Sequence, residues 1–147
     1  MSAILTEDEQ NRITQAISLA ENKTSGEIRL VIERRIGKAE SGLERALFYF
    51  EKLKMHNTRQ RNAVLIYVAL EDKQLSILGD SGIHQKVGES FWDSTKEMII
   101  NNFKNSKIVE GLIEGINQVG EKLKLFFPYH QNDINELPDE IYFGESK

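Results

Sequence analysis

Between Ile77 and Asp93 the chain reads Ile-Leu-Gly-Asp-Ser-Gly-Ile-His-Gln-Lys-Val-Gly-Glu-Ser-Phe-Trp-Asp. Asp80 and Asp93 are hard oxygen donors. His84 can act as a general base or a metal ligand. Gly79, Gly82 and Gly88 let the backbone take conformations closed to other residues, and a loop built that way between two apolar elements is where a site is usually placed. Trp92, beside Phe91, reads as a core or loop anchor rather than a stacking platform. Each residue has a plainer alternative. His84 would hydrogen-bond loop backbone, and Asp93 would belong to the solvated helix face marked by Glu89 and Glu97 at four-residue spacing. Ser81 follows Asp80 without an evident base or oxyanion partner, so no serine nucleophile is assigned.

The surrounding elements decide what joins Asp80. Thr6 and Glu9 form a capping box, and Ile13, Ala16, Ile17 and Ala20 follow at helical spacing, predicting a helix over 7–22. Ile28, Leu30 and Ile32 alternate as a strand. Leu43, Ala46, Leu47, Phe50 and Leu53 predict a second helix over 40–56. The apolar run Ala63 to Leu70 reads as a strand buried on both faces, returning antiparallel through Gln74 to Gly79. Phe91, Thr95, Ile99 and Phe103 predict a third helix. Ile108, Leu112, Ile116, Val119 and Leu123 predict a fourth, stopped by Pro128. Gly111, Gly115 and Gly120 in that helix point to close backbone packing. The order αβαββαα, with a helix crossing between two parallel strands, predicts a three-layer α/β/α sandwich around a small mixed sheet. Residues 1–128 would form the domain, and 129–147 an acidic tail, loosely docked or disordered, with an apolar patch at Ile141 to Phe143.

That topology brings the start of the first strand (Glu27), the start of the second (Arg61, Asn62) and the end of the third (Asp80) to one sheet edge. Two carboxylates, an amide and loop carbonyls suit Ca²⁺ or Mg²⁺, and Arg61 could orient a phosphate. The alternative is a structural Asp80–Arg61 pair beside a solvated Glu27. At the opposite edge, Glu33, Arg34, Arg35, Glu71 and Asp72 read as an ordinary polar turn.

Composition narrows the classes. Of 147 residues, 39% are apolar and 29% charged, which is a globular balance. The net charge of −4 argues against a nucleic-acid surface. With no cysteine, thiolate catalysis and Cys-based zinc sites fall away. The N-terminal residues lack a basic, apolar leader, and no apolar run approaches the roughly 20 residues a membrane span needs. A cytoplasmic protein without a membrane segment is the expectation.

The stretches Thr24-Ser25-Gly26-Glu27-Ile28, Arg61 to Val68, Gly79 to His84, Val87-Gly88, Phe91-Trp92 and Asn135 to Ile141 together resemble the short, soluble bacterial branch of the TPM domain family. The resemblance implies an α/β/α sandwich with a divalent-metal site. It also implies acid phosphatase activity of the kind linked to thylakoid members. Carried onto this chain, Asp80 and Glu27, with Asp93, would hold the metal. In a phosphatase, Arg61 would offset charge on a phosphoryl oxygen and His84 would protonate the leaving group. In a non-enzymatic binding domain, the ion would instead order the Gly79–Gly88 loop and present Ile83 to a protein partner.

Overall fold

The computed structural model describes residues 5–37, 40–129 and 141–144. Helix α1 (Glu7–Glu21) starts at the expected capping box, with Thr6 accepting from the Glu9 N–H and Glu9 from the Thr6 N–H. Strand β1 (Glu27–Glu33) leads to α2 (Gly42–Lys52), which opens on a second capping box made by Ser41 and Glu44. Strands β2 (Ala63–Ala69) and β3 (Gln74–Gly79) form the hairpin. Helices α3 (Ser81–Val87), α4 (Glu89–Lys104) and α5 (Ile108–Phe126) follow, and β4 (Tyr142–Phe143) closes the described chain.

The strand order is β3-β2-β1-β4. β1 and β2 run parallel, from Glu27 opposite Ala63 to Glu33 opposite Ala69, and β3 returns antiparallel with Gly79 opposite Val64. Alternation sends Ile28, Leu30, Ile32, Val64, Ile66 and Val68 into a core shared with α1, α4 and α5. Val31, Ala63, Leu65, Tyr67 and Ala69 face the other way, into a smaller core under α2. Helices therefore cover both faces, and the α/β/α sandwich is the observed architecture. The glycines of α5 serve close packing: a Cβ on Gly115 would sit 2.5 Å from Ile99 Cδ1, and one on Gly120 would sit 2.9 Å from Ala20 Cβ.

Three features differ from the sequence reading. The glycine-punctuated stretch is a helix rather than a loop, so the order gains α3. Asp80 caps it through Oδ1, which accepts the Ser81 N–H at 2.7 Å. Gly88, at φ 75°, ends it and turns the chain into α4. Second, α2 buries Gly42, Arg45, Ala46 and Tyr49, whereas Leu43, Leu47 and Phe48 are exposed. The helix is rotated because a buried carboxylate on β1, described below, draws Arg45 inward. Third, the Ile141–Phe143 patch supplies a strand: Tyr142 pairs with Val31 and Phe143 with Ile32, parallel to β1. The rest of the C-terminal segment lies outside the described residues.

Candidate functional site

The strand-end cluster forms from the sheet register. Glu27 and Ala63 are paired, and the Asp80 N–H donates to Ala63 O at 2.9 Å, so Glu27, Ala63 and Asp80 occupy one row across three strands. Cross-strand partners point to the same face, which places two acidic residues on either side of a small alanine. Their Cα atoms are about 10 Å apart, two strand spacings of roughly 4.8 Å. Both are buried, Glu27 to 2% exposure and Asp80 to 7%. Glu27 is therefore not solvated, as the plainer alternative had it.

The other half of that alternative is present. Arg61 donates to Asp80 through Nε (2.7 Å to Oδ2) and Nη2 (3.0 Å to Oδ1). The hydrogen bonds and charge of Asp80 raise the guanidinium's pKa further. Arg61 is held in left-handed backbone geometry at φ 53°, unusual for a residue with a side chain. The contact beneath it explains why: the Gly82 N–H donates to Arg61 O at 2.8 Å. A Cβ on Gly82 would come within 2.0 Å of Gln60 O and 2.6 Å of Arg61 O. Gly82 is there for this close approach, not for an unusual φ.

Asn62 completes the cluster. It is 1% exposed. Its Nδ2 lies 3.4 Å from Ser25 Oγ, and its main-chain carbonyl accepts from the Glu27 N–H at 3.4 Å. Its side-chain oxygen Oδ1 is buried without a hydrogen-bond partner among the described residues. A buried amide oxygen left unpaired costs free energy on the order of 1–3 kcal/mol. Asn62 directly precedes Ala63, so this unpaired acceptor lies one residue from the row that carries Glu27 and Asp80.

His84 and Asp93 belong to a neighbouring feature. A groove of about 450 Å³ runs beside β3, lined by Leu43, Ser76, Leu78, Gly79, His84, Glu89, Trp92, Asp93 and Lys96 among others. The Trp92 indole N–H donates to His84 Nδ1 at 3.0 Å, and His84 Nε2 faces Glu89 Oε1 at 3.7 Å. The imidazole therefore bonds an indole instead of loop backbone. Trp92 also lies against Gly79, where a Cβ would come within 2.4 Å of Cζ2. Glu27, Arg61, Asn62 and Asp80 gather at the strand ends, while Asp93 and His84 line the groove. Among the described residues, no group of three or more histidine and carboxylate side chains converges on one point. Ile83 is buried to 1% and is not presented to solvent.

At the opposite edge lies an arrangement the sequence reading took for a polar turn. Part of it is one: Arg34 pairs with Glu71 at 3.2 Å, and Asp72 accepts the Ile36 N–H at 2.6 Å. Glu33, however, is completely buried. It accepts from Arg45 Nε at 3.1 Å, Arg45 Nη2 at 2.7 Å, Tyr67 Oη at 2.5 Å and Tyr49 Oη. Burial alone would push the carboxyl pKa up, but the arginine and the two tyrosines outweigh it and hold Glu33 below the ordinary range. Burial and Glu33 raise Tyr67 well above the usual phenol value. The signal was available: Arg45 and Tyr49 sit four apart on one helix face, and Tyr67 is two positions from Glu33's strand partner Ala69.

A family model described as the TPM domain matches residues 1–122. The NMR structure of the BA42 protein from the psychrophilic bacterium Bizionia argentinensis superposes with a TM-score of 0.90 at 42% identity, covering 98% of each chain. The N-terminal domain of cg2496 from Corynebacterium glutamicum, also solved by NMR, has a TM-score of 0.63 at 12% identity, over 82% of this chain and 74% of that one. The N-terminal domain of a protein from P. gingivalis has a TM-score of 0.70 at 18% identity, over 88% of this chain and 84% of that one. The last two share the fold. No curated protein matches the chain. Among the described residues, no helix is long and apolar enough to cross a membrane.

Proposed function

The chain belongs to the TPM domain family, and from that premise and the strand-end geometry we propose that it is a binding domain for a divalent cation, Ca²⁺ or Mg²⁺. Glu27, Asp80 and Asn62 Oδ1 would hold the ion. The observation that carries the reading is the buried Asn62 Oδ1, without a hydrogen-bond partner among the described residues and one residue from the row that carries the buried Glu27 and Asp80. An all-oxygen set of two carboxylates and an amide, completed by water or main-chain carbonyls, suits a hard cation. When bound, the ion supplies the positive charge that Arg61 now supplies to Asp80. The half-exposed Arg61 side chain can swing into solvent, while Asp80 Oδ1 continues to accept the Ser81 N–H. The exchange ties the 58–62 turn to the start of α3. Asp93, in the neighbouring groove, falls outside this ligand set.

The reading is a binding function rather than phosphate-ester hydrolysis. His84 already bonds Trp92 and faces Glu89, and among the described residues neither nitrogen bonds a hydroxyl. A general base needs its substrate proton or nucleophile within hydrogen-bond reach.

The test is a backbone-amide NMR titration with CaCl₂ and MgCl₂, on wild type, Asp80→Asn, Glu27→Gln and Asp93→Asn. Saturable shifts at 26–27, 61–62 and 79–82 are expected. They should be lost in the first two variants and kept in the third. Flat titrations, or shifts indifferent to Asp80, would end the proposal. Release of nitrophenol from p-nitrophenyl phosphate that depends on Asp80 would replace it with the hydrolase reading.

A further inference from the structure

A second concavity lies at the far end of the molecule, away from Glu27 and Asp80. The turn joining β2 to β3 contributes Leu70 and Lys73. The α4–α5 connection contributes Ile100, Phe103, Lys104, Ser106 and Ile108. Together they enclose about 430 Å³, within the range of small-molecule sites. The floor is apolar. Leu70, Ile100, Phe103 and Ile108 pack on the main core from one side and remain only half-buried on the other.

Among the described residues, Lys73 and Lys104 line the rim and no carboxylate does. The acids nearest in sequence are engaged elsewhere: Glu71 pairs with Arg34, and Asp72 accepts the Ile36 N–H. Neither lysine makes an ion pair among the described residues. The turns that carry this rim are fixed in shape. Lys73 sits in the β2–β3 turn and Ser106 in the α4–α5 turn, both with left-handed backbone geometry, φ 53° and 61°, and Lys104 is the last residue of α4, so neither lysine rides on a long loop. On a protein of net charge −4, a cationic rim over an apolar floor is a local exception.

We infer that this cavity binds a small amphipathic carboxylate, its chain on Leu70, Ile100, Phe103 and Ile108 and its anionic head between Lys73 and Lys104. The volume limits the chain. At roughly 30 Å³ per non-hydrogen atom, the share of a water molecule in the liquid, the cavity holds about 14 such atoms. A medium-length acyl chain or a substituted aryl acid fits, and a long-chain fatty acid would protrude. Each half of the site contributes separately: the floor removes apolar surface from water, and the lysines discriminate by charge.

The experiment is an NMR titration of the full chain with sodium decanoate, alongside decanol and sodium acetate. Decanoate should give saturable shifts at Leu70, Lys73 and 100–108, with affinity well above that of either control. The Lys73→Gln/Lys104→Gln variant, altered only at exposed positions, should bind decanoate about tenfold more weakly and leave decanol unchanged. Phe103→Ser should weaken decanoate and decanol alike. Equal affinity for acetate would reduce the site to surface lysines and overturn the inference, as would equal affinity for decanol. Sedimentation with phosphatidylglycerol vesicles, without saturable decanoate binding, would assign the patch to a membrane surface instead.

Discussion

Replacing Arg45 with methionine tests the buried network at the end of β1. The substitution keeps the length and apolar stem of the side chain and removes the guanidinium. Glu33 then retains two of its four hydrogen bonds, those from Tyr49 and Tyr67, with no accessible surface. Stripping one partner from a buried ion pair costs about 3–5 kcal/mol. For a chain of this size each kcal/mol lowers Tm by roughly 2–4 °C, so the expected fall at neutral pH is about 6–20 °C. The pH dependence separates this mechanism from generic loss of packing. In the wild type, Glu33 is depressed below its ordinary 4.5. Its contribution is fully present above that value and is lost as pH falls through the folded pKa. In Arg45→Met the burial that opposes ionisation is no longer outweighed, and the folded pKa rises. Protonating Glu33 then relieves the variant as pH falls. The stability gap between the two proteins should therefore shrink between pH 7 and pH 4, as measured by urea denaturation followed on Trp92 fluorescence. Adding Glu33→Gln to the variant should recover part of the loss and flatten the pH dependence. A gap that stays constant over this range would refute the account, because lost packing has no proton dependence.

Arg61→Gln removes the cation that competes for Asp80, so Ca²⁺ affinity should rise several-fold, read by isothermal titration; unchanged or weaker binding would mean that Arg61 is not displaced. Gly82→Ala forces a Cβ into the carbonyls of Gln60 and Arg61, backbone atoms that cannot swing aside. It should cost about 1–3 kcal/mol by chemical denaturation. Gly144→Val would drive a side chain into Tyr49 Oη and Glu33 Cγ, 2.2 and 2.8 Å from an ideal Cβ. Hydrogen exchange should then speed up at residue 144, whose N–H bonds Ile32 O, with little change in β2.

Strands β1, β2 and β3 and the four long helices were legible because each carries a strong period or cap, whereas β4 was not. The β1 alternation, the unbroken Ala63–Leu70 run and the Thr6–Glu9 box each have a single structural solution. What was not legible arose where two elements compete for one residue. In the 79–88 stretch the glycines suggested a loop, yet Asp80 followed by Ser81 is also a helix start, and five non-glycine residues complete two turns. The glycines have separate causes, close approach at 79 and 82 and a positive φ at 88. On α2 the leucines suggested the buried face, but satisfying Glu33 outweighed burying Leu43 and Leu47. A fully buried, unpaired carboxylate costs several kcal/mol, more than two partly exposed leucines lose. Strand-end proximity could be read from topology alone. The groove holding His84 and Asp93 could not, because it depends on where α4 packs.

The two ends of β1 carry buried acids with opposite prospects. Glu33 receives four hydrogen bonds, and a neighbouring glycine closes over it, so a ligand would have to break more than it makes. That network reads as structure despite lying at the carboxyl ends of parallel strands, where ligands in α/β sheets commonly sit. At the other end, among the described residues, Asn62 keeps an acceptor without a donor, and the guanidinium on Asp80 is half in water. A cation would take up that acceptor's lone pair and release a side chain that solvent already accommodates. Saturation at one end and a buried deficit at the other are why the binding reading rests on Glu27, Asn62 and Asp80 rather than on the more elaborate Glu33 network.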